Sequence, residues 1–430
     1  MFDVMDFDGP GTGSDYELSG PYLPESMDCM RCGQCISRCP TYQLTHDEQE
    51  GPRQRVRTLS RLLVECQPVT DEAVAHLQNC LQCRACEAVC PSKMDYAECF
   101  DQARAQLAAD RQISPLARLG LSLIANKRLF NALLPLIKIY RSLGLRKLLR
   151  AFRVFPGGLK RVDDMAPAPV LSALKPSYPL TQARGTVALF TGCIGDHFDR
   201  STLVAAIKVL NRIGYSVLVP KTQACCGAIH YHNGAQQTAK ALMSKNVEVF
   251  GNLAVDAIVY CATGCGSHLQ EYRRILERDD DEAAAFTEKL VEITDFVDRH
   301  WPLSLPLTHC QKNAKVHEPC SQRNVLKNSQ AVYRLLQRIP GLEVTELTDN
   351  QLCCGAAGTY MLTHPETADT LRDLKWQQVP ETEIDYLVTS NIGCALHLAT
   401  AQRKNVDIVH PMQIVAAHLP EADAVVATIQ

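Results

Sequence analysis

Four cysteines spaced CxxCxxCxxxC and closed by a proline occur twice near the start of this sequence: Cys29, Cys32, Cys35 and Cys39 before Pro40, then Cys80, Cys83, Cys86 and Cys90 before Pro91. The spacing suits an iron-sulfur cube. Three closely spaced thiolates wrap one cluster, and the proline sends the fourth along a diverging path to another. Two such runs cross over. One 4Fe-4S cluster is therefore expected on Cys29, Cys32, Cys35 and Cys90, and a second on Cys39, Cys80, Cys83 and Cys86. Structural zinc is the competing chemistry, but zinc sites are built from separated CxxC pairs, and runs of four closed by proline do not divide that way. Gly33 and Ala85 leave room for backbone amides to reach inorganic sulfur, one lever on reduction potential. The stretch from Gly51 to Arg55 offers cations that suit a cluster of negative net charge, or else simply a solvated helix face.

A second pattern lies further on. Cys193, the pair Cys225-Cys226 before Gly227, and Cys265 return as Cys320, the pair Cys353-Cys354 before Gly355, and Cys394, nearly in register. Adjacent cysteines do not readily bridge each other, so matched Cys-Cys-Gly units argue against structural disulfides. Each set offers four sulfurs to one further metal or cluster site, with Gly227 and Gly355 allowing a tight turn beside it. Buried apolar cysteine, or a redox dithiol without metal, is the alternative. His230, His232, Glu318, His364 and His397 are near these sets in sequence, as outer donors or as ordinary side chains. Cys66, Cys99 and Cys310 match neither pattern and read as packing residues.

The elements that must position these residues give a multidomain α/β chain: an N-terminal helical, double-cluster, ferredoxin-like domain followed by two duplicated α/β domains. In the first copy, 187–190, 216–219 and 257–260 read as buried strands with a helix over 202–212. In the second, Val316, 344–347 and 386–388 take the same places with a helix over 332–338. The cysteines fall at strand ends, where side chains from several strands converge. The expected division is a flexible tail over 1–24, the double-cluster domain over 25–105, a basic helical segment and proline-rich linker over 106–184, and the duplicated domains over 185–305 and 306–430.

Composition bounds the rest. The 430 residues are 46% hydrophobic and 21% charged with a formal net charge of -3, so no global field points to nucleic acid, and none is expected as a partner. Residues 1 to 24 lack the basic start and apolar run of a signal peptide, so a reducing cytoplasm is expected, where closely spaced cysteines are more often ligands than disulfides. No eighteen consecutive apolar residues occur. The segment from Arg111 to Arg161 contains no Asp or Glu, and interleaves residues such as Leu119, Ile124, Leu136 and Ile139 with Arg128, Lys138 and Arg141. That pattern suits an amphipathic helix peripheral on the anionic inner-membrane surface, or equally a helical hairpin packed on its own domains or on a partner subunit.

At CPTYQL (39–44), CLQCRACEAVCPS (80–92), CCGAIHYHNGA (225–235), CCGAAGTYMLTHP (353–365) and NIGCALHL (391–398), the chain resembles the iron-sulfur subunit of bacterial glycolate oxidase, within the wider group of CCG-domain proteins. The resemblance covers nearly all of 26–418. It implies an electron-transfer subunit fed by flavin-containing subunits that oxidise glycolate to glyoxylate, with quinone as an onward acceptor. No flavin or NAD site is expected on this chain, because the glycines from Gly9 to Gly13 precede no strand-to-helix turn. Heterodisulfide reductase relatives carry a fifth cysteine in each CCG domain, ending in CxxC. Here Ala262 and Asn391 stand in those places and Cys261 is one residue out of register. That departure weakens noncubane clusters and a thiol or disulfide reductase reading. Lactate and glycerol 3-phosphate are the alternative substrates of the complex.

Overall fold

The computed structural model describes residues 29–30, 32–110, 115–143, 157–276, 281–379, 384–403 and 405–420. The tail expected over 1–24 and parts of the basic segment (111–114 and 144–156) lie outside them. Described residues before 157 form helices and turns without a strand. Pro40 and Pro52 open their helices, Pro40–Thr45 and Pro52–Leu63, where the missing N–H would have had no partner. The Thr70 side chain caps Asp71–Gln78 by accepting from Ala73 N–H. Val56, Leu59, Leu62 and Leu63 share one helical face and meet Leu77, Phe100 and Ala103 in a small core. The helix Tyr96–Asp110 runs through residue 105, so the expected boundary there falls inside an element.

Five strands form the first sheet: β1 (Ser177–Tyr178), β2 (Gly185–Phe190), β3 (Tyr215–Leu218), β4 (Ala257–Tyr260) and β5 (Leu290–Glu292). Their order is β1-β3-β2-β4-β5, parallel except for β1. The second sheet is fully parallel in the order β7-β6-β8-β9, with β6 (Lys312–His317), β7 (Leu342–Glu346), β8 (Tyr386–Thr389) and β9 (Asp407–Val409). The matching order of the two sheets is the duplication made visible. Strand alternation divides the first sheet between two cores: Val187, Leu189 and Val259 meet the helix Arg200–Arg212, while Ala188, Phe190, Ile258 and Tyr260 meet Gln236–Gly251. Burial on both faces is why these strands read as continuous apolar runs.

Three features depart from the sequence reading. The edge strands β1, β5 and β9 are too short to register as periodic runs. The copies also exchange their last helices. Ile293–His300, which ends the first copy, packs on Gln330–Leu336 of the second, where Asp298 takes Arg334 at 2.7 Å and Arg338 at 2.9 Å. Pro411–Ala417, which ends the second, packs on Arg200–Arg212, and Lys208 Nζ donates to Ala416 O at 2.8 Å. One core therefore joins Val187 and Val217 to Val316, Leu335 and Met412.

The third departure is the proline-rich linker. Its described part forms a helix, Gly157–Met165, pinned to the second copy by the Arg161–Asp369 ion pair at 2.6 Å, and then supplies β1 to the first sheet. The basic segment forms two helices, Pro115–Ala125 and Lys127–Ser142, whose inner side lies on the first copy. Leu121 O faces His230 Nε2 at 2.9 Å, Asn131 Oδ1 faces His197 Nε2 at 2.9 Å, and Lys127 pairs with Asp196 at 3.3 Å. Its outer side leaves Leu119, Leu129, Leu136, Ile139 and Leu143 exposed.

Candidate metal centres

The crossed pairing of the N-terminal cysteines is visible in which thiols crowd one another. Burial, together with Cys29, Cys32 and Cys90, pushes the Cys35 thiol up to about 11. Burial raises Cys83 and Cys86 as well, and Cys39 and Cys80 act on both. Cys39, Cys80, Cys83 and Cys86 line one pocket of about 350 Å³, its open mouth included. Cys35, Cys83 and Cys86 are costly to ionise in these surroundings unless a cation shares the site, and this suits a metal cluster held by four thiolates.

Arg55 and Arg84 are the charged residues lining that pocket, and Arg55 is the one beside Cys39. Its side chain is 2% exposed; Nη1 lies 3.6 Å from Cys39 Sγ and donates to Thr41 Oγ1 at 3.0 Å. Nη2 donates to Glu50 Oε2 at 2.6 Å and Nε to His76 O at 2.8 Å. Burial alone would discourage its charge, but Cys80, Tyr96, Cys39 and Glu50 outweigh that and keep it protonated. Tyr96 OH lies 3.6 Å from Cys80 Sγ. Of the cations expected from Gly51 to Arg55, Arg55 turns inward, while Arg53 pairs with Glu48 at the surface.

Both Cys-Cys-Gly sets sit beyond the C-terminal ends of the first three strands of their copy, where strand order reverses and loops can converge. In the first, Cys225 Sγ is 3.4 Å from Cys193 Sγ and accepts from Gly227 N–H at 3.5 Å, while Cys226 is raised by Cys225, Cys265 and burial. Gly227 has φ +88, and a Cβ there would lie 3.3 Å from Ala239 O. In the second, Cys354 Sγ is 3.0 Å from Cys394 Sγ, Gly355 N–H donates to Cys353 Sγ at 3.4 Å, and Cys320 is raised by Cys353 and burial. At Gly355 (φ +85) a Cβ would meet Ala368 O at 2.4 Å. None of the twenty cysteines forms a disulfide.

The double-cluster region docks on the second set. Leu81 shares a core with Leu352 and Cys353, against which Cys83 and Cys320 pack, and Asn324 Nδ2 donates to Cys83 O at 2.7 Å. Arg84 also reaches Glu271, and Tyr360 OH donates to Asn79 Oδ1.

Of the donors expected near the sets, His230 stands beside Cys225. The others face elsewhere: His232 takes Asp101 at 3.0 Å, Glu318 accepts from Tyr333 OH at 2.9 Å, His364 stacks on Tyr360, and His397 Nε2 faces Ala368 O at 3.0 Å. Cys261 points into the core shared by the copies, away from the sulfurs. Cys99 and Cys310 are buried packing residues, but Cys66 is exposed, which corrects the expectation for it. Two side chains escaped the sequence reading. His317 ends β6, where Phe190 ends β2. Lys375 lies at the place on its helix that Asn246 holds on the first copy's helix, and burial lowers it to about 8 despite nearby Cys354 and Asp349.

Family models match both regions: a 4Fe-4S dicluster domain over 25–94, and a cysteine-rich CCG domain over 187–270 and again over 314–399. The glycolate oxidase iron-sulfur subunit of Escherichia coli (strain K12) is 34% identical over 387 residues, covering 88% of this chain and 91% of that protein. A probable glycolate oxidase iron-sulfur subunit of Bacillus subtilis (strain 168) is 33% identical, covering 87% of this chain and 88% of its own length. Lactate utilization protein A of Oceanobacillus iheyensis is 31% identical over 54% of this chain and 97% of that protein.

Proposed function

From the premise that this chain belongs to the family of glycolate oxidase iron-sulfur subunits, we propose that it is the electron-transfer subunit of a glycolate-oxidising complex. Cys29, Cys32, Cys35 and Cys90 hold one 4Fe-4S cluster, and Cys39, Cys80, Cys83 and Cys86 the second. When bound, such clusters take and release electrons singly, whereas oxidation of a 2-hydroxy acid removes a hydride equivalent, so the hydride step falls to a flavoprotein partner and the onward acceptor is a quinone.

One observation carries the reading: Cys39 leaves its own run to join Cys80, Cys83 and Cys86 in one pocket, and Cys90 joins Cys35 in return. The residues of this chain then have distinct tasks. The thiolates hold and space the clusters. Arg55 places a buried positive charge beside Cys39, and the apolar shell of Leu59, Leu77 and Phe100 keeps water away. Cys83, beside Cys320, gives the second N-terminal set its exit towards the C-terminal half. The eight remaining set cysteines, Cys193, Cys225, Cys226, Cys265, Cys320, Cys353, Cys354 and Cys394, form two further thiolate sites. A thiol or disulfide reductase is disfavoured because Cys261 does not supply the fifth sulfur.

Lactate is the second candidate acid, but lactate utilization protein A aligns with 54% of this chain, and the two-part plan favours glycolate. The exposed leucines of the paired helices, flanked by Arg128 and Lys138, form the face that would rest on the cytoplasmic side of an anionic membrane. Anaerobic purification with the flavoprotein tests the main reading. Iron and acid-labile sulfide should co-purify, and their visible absorption should bleach on adding glycolate but not lactate. Protein without acid-labile sulfide, or clusters that glycolate leaves oxidised, would overturn it.

A further inference from the structure

Of the two N-terminal sets, the first faces outward. Cys32 is exposed and Cys29, Cys35 and Cys90 are half-buried, while Met30, between the first two ligands, is 71% exposed. In the second set Cys39 is buried, and Cys83 packs with Cys320 on a core of the second copy. Electron transfer between proteins weakens steeply with separation, so a donor outside this chain reaches the first set, and the second set faces the way onward. The helix Pro52–Leu63 runs beside the first set: Val56, Leu59, Leu62 and Leu63 turn inward to the core on which Cys29 and Cys90 pack. Its other side carries Arg53, Arg57 and Arg61, four residues apart and so one above the other. Arg53 takes Glu48 at 2.7 Å and lies in the field of Cys35 and Cys29, and Arg57 and Arg61 are exposed. Among the described residues neither Arg57 nor Arg61 takes a carboxylate. The helix contains no Asp or Glu. Like charges one turn apart destabilise a helix, and a cation in the first turn opposes its dipole, so this row costs stability on the chain alone.

We propose that this arginine row is the docking surface for the flavin-bearing partner, that it meets an acidic face of that protein, and that electrons enter this chain at the edge of the first set marked by Met30 and Cys32. The inference rests on the reading of this chain as an electron-transfer subunit. Guanidinium groups are charged at every pH the complex meets and pair bidentately with carboxylates, so a row of three selects a carboxylate-bearing surface. An anionic membrane would also attract them, but Val56, Leu59, Leu62 and Leu63 are all buried and leave no apolar side chain to enter a bilayer. The paired helices Pro115–Ala125 and Lys127–Ser142, by contrast, expose leucines. The two basic faces thus have different partners. Each transfer moves one electron from the reduced flavin to this chain. A flavin that has taken a hydride equivalent from the 2-hydroxy acid is restored after two transfers, and its proton passes to solvent.

The test mixes the full chain, purified anaerobically with its clusters, with the separately purified flavoprotein. Affinity is read by calorimetry, and the rate of cluster bleaching by stopped flow once glycolate has reduced the flavin. Both should fall as salt rises, because the attraction is between exposed charges. Arg57→Glu with Arg61→Glu should weaken affinity and slow bleaching by about tenfold or more at low salt and flatten the salt dependence. Iron, acid-labile sulfide and reduction by dithionite should stay unchanged, which shows that the variant is folded. The matching reversal of exposed lysines elsewhere, Lys175→Glu with Lys245→Glu, should change neither quantity. Arg57→Lys should keep the rate, and a carbodiimide should join its new amine to a carboxylate of the flavoprotein. Tight, salt-sensitive binding without bleaching would strike the glycolate reading and leave the docking surface standing. Affinity and rate untouched by the double reversal, or insensitive to salt, would overturn the docking surface. So would a double reversal that abolishes binding to anionic vesicles and spares binding to the flavoprotein.

Discussion

Replacing Arg55 by Gln removes a buried positive charge from the wall of the pocket that holds Cys39, Cys80, Cys83 and Cys86. Arg55 Nη1 is 3.6 Å from Cys39 Sγ, so the charge centre stands about 6 Å from a cluster bound there, worth about 3 kcal/mol at an effective dielectric constant of about 20. Glu50, 2.6 Å from the guanidinium, returns roughly half of that or more, leaving about 1 to 1.5 kcal/mol in favour of the reduced cluster. For one electron, about 1.4 kcal/mol corresponds to about 59 mV, so the variant should lower the potential of this cluster by about 40 to 60 mV. The shift should be read by redox titration followed by paramagnetic resonance. The cluster on Cys29, Cys32, Cys35 and Cys90 provides an internal reference and should move less. Arg55→Lys, which keeps the charge, should recover most of the loss. Glu50 retains His76 at 2.6 Å and Asn79 at 2.7 Å, so both variants can still fold, with a lower melting temperature for Arg55→Gln. A potential unmoved or raised in Arg55→Gln, with iron content intact, would refute the electrostatic role assigned to this residue.

Gly355→Ala should cost about 2 kcal/mol or more, and Gly227→Ala about 1, because both positions have positive φ but the added methyl meets Ala368 O at 2.4 Å in one case and Ala239 O at 3.3 Å in the other; denaturant unfolding checks the order. Glu292, fully buried and capping Ile293–His300, is pushed up to about 7 by burial. Its ordinary value is lower, so the folded state binds the extra proton between pH 4.5 and 7 and loses stability as pH rises through that window. Glu292→Gln should therefore gain on the parent by about 2 to 3 kcal/mol between pH 5 and pH 8, and a pH-independent difference would contradict this. Neutralising Arg128 and Lys138 should weaken co-sedimentation with anionic vesicles several-fold, and unchanged binding would assign the exposed leucines to a protein partner instead.

The ligand chemistry was legible in the sequence because it is local: CxxCxxCxxxCP fixes spacing whatever surrounds it, and the apolar run over 257–260 coincides with β4. Arg55 was legible as a nearby cation, but only the fold shows that it turns inward while Arg53 does not. His317 was hidden for a physical reason. A side chain on a strand end meets Cys354 and Cys394 through space and not along the chain, and its sole sequence signal was a polar residue where the duplicate carries Phe190. The exchanged helices were illegible because either copy could bury the apolar faces of Ile293–His300 and Pro411–Ala417, and periodicity does not say whose surface is met. Proline richness after residue 156 suggested an extended tether, yet Arg161 and the β1 pairing tie that stretch to both copies.

The residue that replaces a fifth cysteine in the second copy explains how two duplicated sites become one assembly. Asn391 Oδ1 accepts from Gly264 N–H at 3.2 Å, beside Cys265 of the first set, while its Nδ2 donates to Cys394 Sγ of the second at 3.3 Å. Thr263 N–H donates to Ser390 O at 3.0 Å, and Ser321 Oγ donates to Thr263 Oγ1 at 2.9 Å, so the loops carrying both sets are stitched together at this place. A thiol at 391 would be a weak donor and a weak acceptor and would hold neither end of that bridge. The amide at 391 thus fixes the distance between the two neighbouring cysteine sets. A fixed distance is the property that passing electrons between centres requires, and bond-breaking chemistry at an open cluster does not depend on it.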